Sequence, residues 1–512
     1  MKNVLIFWGA HHESTVFDTA IDFIKKGDNV FLLCCDQTAG ICIRNYLDCP
    51  AYCSVCKRSK KEALKEYIPD FKNFHFVSEY ATKEIVDEAQ NYQIQYSSTN
   101  ELKDITYKGI EIGFGAYSTY VTLTRHCNPL YSKAVTSYID DMLRMEIRLI
   151  LIGERVIDEF NPDLIIFHNG RFAQYKPFLG LAQKKGIDFI ASEVKQGQDG
   201  AEIPNNFYND VPHSILMFQS NIERDWNNAD PVKRIEIAKG FYENRRNAKY
   251  AGDKIYAKDQ KLGLLPEGWN NSKKNIAVFN SSEDEYVSIS KDYDDGRLFK
   301  TQYEGLKTLF EHYKDDKTRH FYLRIHPNLA HVDDISHLAL YKLKYDNVTI
   351  IPPSSPISTY TLIDNASKVV VFNSTVGIES VYWGKPVIAL NTCDYKLLDV
   401  VYHPSSTQEL FELLETDDLK CKYNDGVLKY AYWLLGIDYP KQKNLHNIVS
   451  TRYIFGRPIG LNTVFKLFGS VYSYALANFF FLHIASKFKC FAKFKKVPDD
   501  RDLWRKGDVK SL

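Results

Sequence analysis

The sequence predicts an α/β protein built from two successive domains. Short runs of β-branched and aromatic residues typical of buried strands recur along the chain, and polar turns and helical apolar spacings follow them. A chain of 512 residues also exceeds what one hydrophobic core usually organises. The formal charge of +1 gives no global argument for a nucleic-acid partner.

A strand, a helix and a second strand open the chain. Residues 3–8 are apolar, residues 9–15 form a polar turn, and a helical spacing ends at Gly27 before a strand over 30–33. The polar turn contains His12, which we predict as an acceptor-side residue, although a histidine that is only solvated is the alternative. No signal sequence precedes the first strand, so the expected location is the cytoplasm.

The cysteines are concentrated in one segment. Six of the ten lie between Cys34 and Cys56, and the pair Cys53 and Cys56 has the spacing of a zinc knuckle. No second such pair follows, and a reducing compartment argues against disulfides. We favour packing or an unassigned local role over a metal site, and a redox cluster is a further interpretation.

Polar residues also follow the next predicted strands in the first half of the chain. The predicted elements there are a helix over 139–160, strands over 164–167 and 189–191, and between them a helix that ends at Gly186. Ligands bind at the carboxyl ends of strands in open α/β sheets. We therefore predict Asn169 and Arg171 as acceptor-side residues and Glu193 as a general base, whose pKa desolvation would raise. A surface glutamate is the alternative for Glu193.

A polar stretch separates the two α/β series. Residues 254–274 are rich in Gly, Pro and Asn, as interdomain connections often are. The predicted division is therefore an N-terminal domain over 1–253, a second domain over 275–430 and a helical tail over 431–512.

The second series begins with a strand over 275–279 and a polar run that follows it. The strand over 321–325 then carries Arg324 near its end and is followed by His326 and Pro327. A cation and an imidazole at a strand end can neutralise a phosphate.

Residues 368–390 predict a strand, a polar turn, a helix and a strand. The helix is expected to open at Glu379 and to stop at Gly384. The hydroxyls of Ser374 and Thr375, with the free N–H groups of the turn, suit an anion such as a phosphate. Simple capping of the helix is the alternative.

Several motifs, in this order, resemble bacterial capsular polysaccharide biosynthesis proteins with a GT-B glycosyltransferase fold. They are Asn169-Gly170-Arg171-Phe172 with Glu193 downstream, Asn280-Ser281-Ser282-Glu283-Asp284-Glu285, Arg324-Ile325-His326-Pro327-Asn328, the segment 358–364, and Asn373-Ser374-Thr375-Val376-Gly377-Ile378-Glu379. Each motif is loose by itself, and their order makes the match specific.

The resemblance implies two Rossmann-like domains facing each other across a cleft, with a nucleotide-sugar donor held mainly by the second. It implies that His326 is catalytic and contacts the donor phosphate or nucleotide, and that Glu379 holds a ribose hydroxyl. The other implied donor-binding residues are Ser281, Ser282, Glu283, Arg324, Ser374 and Thr375. His-Pro and serine-rich turns recur in transferases that use CMP-activated sugars, so a CMP-sugar is the favoured donor.

The predicted activity is transfer of a sugar to a growing surface polysaccharide or a glycolipid. The alternatives are a CDP-polyol phosphotransferase of the teichoic-acid type and a non-catalytic nucleotide-binding scaffold. No Asp-x-Asp motif stands in a convincing strand-end context, so we expect no metal and no cofactor besides the nucleotide sugar.

The tail predicts a further partner. Residues 467–486 contain no formally charged side chain, and five lysines follow by position 496. An amphipathic or partly inserted helix with a basic flank suits an anionic membrane surface, so peripheral membrane contact is predicted for 459–496. Helices that fold back over the protein, as in many GT-B chains, are the alternative.

Overall fold

The computed structural model describes most of the chain in two compact units. The described residues are 1–10, 13–46, 48, 50–196, 202–212, 214–249, 251, 258–330, 332, 334–435, 451–454, 457–460 and 497–505. Unit 1 comprises residues 1–212 and 439–512, and unit 2 comprises residues 213–438. The domain limits predicted from the sequence stay a prediction.

Unit 1 is built on a six-stranded sheet in the order β3-β2-β1-β6-β7-β8. Its strands, with a two-stranded hairpin β4-β5 beside them, are β1 Asn3–Trp8, β2 Asn29–Cys34, β3 Phe74–Phe76, β4 Thr106–Tyr107, β5 Ile110–Glu111, β6 Leu164–His168, β7 Asp188–Gln196 and β8 Glu202–Tyr208. The sheet is parallel except for β8, which runs antiparallel to β7. The side chains from Val4 to Trp8 are fully buried, as expected of a parallel strand covered on both faces.

Helices cover this sheet. They are α1 Ser14–Lys25, α2 Pro50–Tyr67, α3 Lys83–Asn91, α4 Thr99–Lys103, α5 Gly113–Thr124, α6 Lys133–Phe160 and α7 Lys176–Lys185. The helix predicted over 139–160 begins six residues earlier, at Lys133, and the buried Val135 and Tyr138 extend its apolar face into these first turns. It ends at Phe160 as predicted, since Asn161 adopts a left-handed conformation before Pro162.

Unit 2 has a five-stranded parallel sheet in the order β11-β10-β9-β12-β13. Its strands are β9 Lys274–Phe279, β10 Arg319–Arg324, β11 Val348–Ile351, β12 Lys368–Val371 and β13 Val387–Ala389. Its helices are α8 Ile215–Asn228, α9 Lys233–Arg246, α10 Lys291–Asp295, α11 Gln302–His312, α12 Ile335–Leu340, α13 Thr359–Asn365, α14 Val376–Tyr382, α15 Thr407–Glu415 and α16 Asp425–Leu435.

Both sheets have the Rossmann strand order. In each sheet the first strand is central, two strands extend from it in one direction, and the chain then crosses to its other side. The crossing point leaves a crevice at the carboxyl ends of the strands, between β1 and β6 in unit 1 and between β9 and β12 in unit 2. The predicted α/β class with two Rossmann-like domains is confirmed.

The described end of the chain packs on unit 1. Asp500 is buried and accepts hydrogen bonds from His126 Nε2 at 2.9 Å and from the Ser132 backbone N–H at 3.0 Å. The Tyr120 hydroxyl donates to the Pro498 carbonyl at 3.0 Å. Within the predicted helical tail, residues Thr451–Ile454 and Arg457–Gly460 form an antiparallel hairpin.

None of the helices in the described residues is long and apolar enough to cross a membrane. The predicted membrane-contact segment 459–496 lies outside the described residues, apart from its first two positions.

The cysteine segment is buried in unit 1. Cys34, Cys35, Cys42, Cys53 and Cys56 are buried free thiols, whereas Cys49 lies outside the described residues. Burial raises the pKa of the Cys42 thiol to about 12, which leaves it protonated and unreactive at neutral pH. Among the described residues, no group of three or more His, Cys, Asp or Glu side chains is placed to hold a metal ion. The burial of the five thiols supports the packing interpretation.

One buried carboxyl group is expected to make the stability of unit 1 depend on pH. Glu146 is fully buried in α6 beside Gly115 of α5, where a Cβ would lie 2.6 Å from the Glu146 Oε2. Desolvation raises the pKa of Glu146 well above 4.5. The stability that comes from burying the protonated Glu146 is therefore fully present below pH 4.5, the pKa of the unfolded chain. It is lost as the pH rises through the pKa of the folded state, because only the unfolded chain ionises freely.

We expect Glu146→Gln to flatten this pH dependence. The stability of the variant relative to the wild type should rise by up to about 1.4 kcal/mol per pH unit above pH 4.5. Urea unfolding from pH 5 to 8 measures the difference, and parallel pH profiles for the two proteins would contradict it.

Candidate functional site

A cavity of about 370 Å³ lies in unit 2 at the carboxyl ends of β9, β10 and β12. The strand register pairs Phe279 with both Arg324 and Val371, so the three strands leave the sheet at the same edge. The residues that line the cavity are Arg245, Lys249, Ala251, Gln260, Phe279, Asn280, Ser281, Glu285, Arg324, His326, Pro327, Thr359, Tyr360, Asn373, Ser374, Thr375, Val376 and Glu379. Such a volume suits a small-molecule ligand.

Side chains of the β9 loop connect the three strand ends. Asn280 Oδ1 accepts the His326 backbone N–H at 2.8 Å, and Ser281 Oγ accepts the Asn373 backbone N–H at 3.0 Å. Gln302 fixes the Ser281 backbone: its Oε1 accepts the Ser281 N–H at 2.7 Å, and its Nε2 donates to the Ser281 carbonyl at 2.9 Å. Hydrogen bonds within the protein therefore fix the relative positions of these loops.

The His326 imidazole has a defined neutral tautomer. Its Nδ1 accepts the backbone N–H of Asn328 at 3.2 Å, so in the neutral ring the proton resides on Nε2. The side chain lines the cavity. It can present a hydrogen-bond donor to an oxygen of a ligand there.

Arg324 is more deeply buried than the sequence suggests. Its side chain lines the cavity but is only 2% exposed, and the guanidinium donates to the carbonyls of Pro352 at 3.0 Å and Ser355 at 3.1 Å. Burial lowers the pKa of Arg324 to about 10, which still leaves it charged at neutral pH. It supplies positive potential and holds the loop after β11.

The polar turn after β12 has the predicted form, with one correction. The helix begins at Val376, three residues before the predicted Glu379, because the turn closes directly after Thr375. Ser374 Oγ accepts the Val376 N–H at 3.3 Å, and the Tyr395 hydroxyl donates to the Ser374 carbonyl at 2.5 Å. Gly377 is required here, since a Cβ would lie 2.2 Å from the Tyr395 hydroxyl oxygen.

Glu379, predicted as a ribose ligand, is already paired within the protein. It is 1% exposed, its Oε1 accepts from Arg245 Nε at 2.9 Å, and its Oε2 accepts from the Tyr360 hydroxyl. Arg245 also donates to Thr375 Oγ1 at 3.3 Å. The network places a cation beside the predicted phosphate-binding turn.

Two of the predicted donor-binding residues are absent from the described cavity wall. Ser282 Oγ donates to Asp284 Oδ1 at 2.5 Å, and Glu283 Oε1 accepts the Gln302 backbone N–H at 2.8 Å. Burial raises the pKa of Glu283. Glu285 of the same run does line the cavity and accepts from the Asn328 amide at 2.5 Å.

Two of the predicted acceptor-side residues, Asn169 and Arg171, lie beside the predicted base Glu193 in unit 1. Asn169 follows β6 in a left-handed conformation and donates through Nδ2 to Glu193 Oε1, while its Oδ1 accepts the Arg171 N–H at 3.1 Å. His168 Nε2 lies 3.8 Å from the same Glu193 oxygen. Contrary to prediction, Glu193 lies within a strand, because β7 continues to Gln196 by pairing with β8.

The polar turn after β1 is organised by a residue that received no predicted role. The Glu13 carboxylate accepts the backbone N–H groups of Gly9 at 2.9 Å and Ala10 at 2.8 Å, and the Tyr175 hydroxyl donates to it. Burial raises the pKa of Glu13 to about 6. His12 lies outside the described residues.

Sequence reasoning also missed one wall of the cavity. Arg245, Lys249 and Gln260 line it but precede β9, where the sequence predicts the end of the first domain and a connection. Gln260 Oε1 accepts the Thr359 backbone N–H at 2.8 Å. The signal available in the sequence was the pair Arg245-Arg246 at the end of a helix, which is also typical of a solvated surface.

One family model matches part of the chain. Residues 272–408 match the family model described as capsule polysaccharide biosynthesis protein. The search of curated proteins found no match to this sequence.

Solved structures give weaker likenesses. The KpsC β-Kdo 2,4-transferase of Thermosulfurimonas dismutans is 12% identical, over 59% of this chain and 85% of that chain, with a TM-score of 0.32. The KpsC β-Kdo 2,7-transferase of that organism is 15% identical, over 61% of this chain and 87% of that chain, with a TM-score of 0.31. The UDP-GlcNAc 2-epimerase of Neisseria meningitidis is 12% identical, over 83% of this chain and 97% of that chain, with a TM-score of 0.24. The family-model match over residues 272–408, and not these structural likenesses, confirms the predicted resemblance to capsular polysaccharide biosynthesis proteins.

Proposed function

We propose that the protein is a glycosyltransferase that acts in the synthesis of a bacterial surface polysaccharide. In this proposal a nucleotide sugar, with a CMP-sugar favoured, binds in the cavity of unit 2 and its sugar passes to a polysaccharide or glycolipid acceptor. The observation that supports it most directly is the convergence of His326, Ser281 and Ser374 on one cavity at the carboxyl ends of parallel strands. Most of the residues that line the cavity, from Phe279 to Glu379, lie within the segment that matches the capsule family model, whereas the wall formed by Arg245, Lys249, Ala251 and Gln260 precedes it.

Glycosyl transfer needs stabilisation of the departing phosphate and removal of a proton from the acceptor hydroxyl. In the proposal, His326 Nε2–H and the hydroxyl and backbone N–H groups of Ser374 and Thr375 bind the phosphate as its negative charge increases. Arg324 contributes positive potential from a buried position, where charges are less screened than in water.

The acceptor-side roles belong to unit 1. Glu193 is proposed as the base, and Asn169 orients it by donating to Oε1. Arg171 would bind acceptor oxygens. His12 keeps its predicted acceptor-side role as part of the proposal.

Nucleotide binding tests the proposal. Calorimetric titration of the full chain with CMP, CDP, UDP and GDP should show one preferred nucleotide, and the matching nucleotide sugar should then be hydrolysed or transferred. Failure to bind any of the four would overturn the proposed function. Binding without turnover of any donor would instead favour a scaffold, and turnover of CDP-glycerol would favour a polyol phosphotransferase.

We expect turnover to be independent of metal ions. The protein offers an imidazole, arginine and backbone N–H groups where a divalent cation would otherwise neutralise the phosphate. Addition of EDTA should therefore leave the rate of donor consumption unchanged. A complete loss that magnesium restores would contradict this expectation.

A further inference from the structure

We propose that Arg245 binds an oxyanion of the donor, a phosphate or a carboxylate, and that Glu379 acts as the positioning residue for its guanidinium. The proposal rests on the proposed function, because it takes the cavity of unit 2 to be the donor site. It moves Glu379 from the predicted role of ribose ligand to that of a partner of Arg245.

The guanidinium of Arg245 has a fixed direction. Its Nε donates to Glu379 Oε1 at 2.9 Å and one Nη donates to Thr375 Oγ1 at 3.3 Å. Because a guanidinium is planar and its N–H groups form a rigid fork, fixing one edge also fixes the direction of the others. The side chain is 16% exposed and lines the cavity, so it remains accessible to a small ligand.

The helix that carries Arg245 is firmly attached to the rest of unit 2. Tyr242 stacks on Tyr382 with ring centroids 4.0 Å apart, and its hydroxyl donates to the Val427 carbonyl at 2.7 Å. The next residue, Arg246, pairs with Asp364 and lies 4.5 Å from the centre of the Trp383 ring. A cation on such a support needs little further ordering when a ligand binds.

The cations on the cavity wall favour an anion beside Arg245. Lys249 follows Arg245 on the wall, after a left-handed turn at Ala248. The Glu285 carboxylate also lines the cavity, and it accepts from the Asn328 amide. Arg324 is nearly inaccessible at 2% exposure, so it is a poorer ligand than the more exposed Arg245.

The test compares a nucleotide with its nucleoside. CMP and cytidine are titrated into the full-length wild type and into the Arg245→Ala, Glu379→Gln and Lys239→Ala variants. Lys239 is an exposed cation on the same helix, so its loss changes the net charge equally without altering the cavity wall. If the wild type prefers another nucleotide, that nucleotide and its nucleoside replace CMP and cytidine.

We expect Arg245→Ala to weaken CMP binding by about 10- to 100-fold, the loss typical of a hydrogen bond to a charged group, and to leave cytidine binding unchanged. Glu379→Gln should weaken CMP binding less, again without an effect on cytidine. General damage to the cavity would weaken both ligands. Lys239→Ala should match the wild type.

A carboxylate ligand gives a different pattern from a phosphate ligand. In that case Arg245→Ala leaves CMP binding unchanged and weakens binding of CMP-sialic acid, whose sugar carries a carboxylate. If Arg245→Ala binds CMP as tightly as the wild type does, and also binds CMP-sialic acid as tightly as the wild type does, the inference is overturned while the proposed function stays intact. A wild type that binds no nucleotide would instead overturn the proposed function.

Discussion

Replacement of His326 by alanine is expected to lower turnover of the donor by about 100- to 1000-fold, the usual effect of removing one preorganised donor to a developing negative charge. The Asn328 N–H bond to Nδ1 fixes the neutral tautomer, so the side chain presents Nε2–H as a donor. The fold should be retained, because the bond from the His326 backbone N–H to Asn280 does not involve the side chain. Steady-state donor consumption, with circular dichroism for the fold, measures this.

His320 supplies the matched control for His326. It lies on the same strand, β10, but near the opposite end, where its Nε2 contacts Thr349 Oγ1 at 2.8 Å. His320→Ala should retain wild-type turnover. A His326→Ala protein with wild-type donor affinity and rate would remove His326 from the mechanism.

The sequence predicts the central strands of both sheets well, because they are buried on both faces and appear as uninterrupted apolar runs. The strands β1, β6, β9 and β12 all lie within or next to predicted segments. The edge strand β11 had no prediction, since its side chains are partly exposed and a short run of that kind also suits a loop.

The candidate site was predictable where it consists of strand ends. His326, Ser281 and Ser374 follow buried strands directly, and the parallel register brings them to one edge. Arg245 was not predictable in this way, because its position depends on the packing of α9 against α14 and α16 and not on any local pattern. The partners of Glu379 are likewise set by tertiary contacts, which the family resemblance that implied a ribose ligand does not reveal.

Replacement of Glu379 by alanine is expected to destabilise unit 2 by about 3 kcal/mol, at the low end of the cost of breaking a buried ion pair because Arg245 is partly exposed. The loss removes both the carboxylate that pairs with Arg245 and the acceptor of the Tyr360 hydroxyl. Thermal unfolding should show a decrease in the melting temperature of roughly 6 to 12 °C.

The comparison with Asp364 decides whether the effect belongs to the buried network. Asp364 pairs with Arg246, which lies next to Arg245 on α9, but the Asp364 side chain is 40% exposed. Asp364→Ala should therefore lower the free energy of unfolding by at most about 1 kcal/mol. Glu379→Gln should recover part of the stability, because an amide oxygen can still accept one of the two hydrogen bonds. A Glu379→Ala protein as stable as Asp364→Ala, with weakened nucleoside binding, would return Glu379 to the role of a ribose ligand, since a ligand contact contributes nothing to the stability of the empty protein.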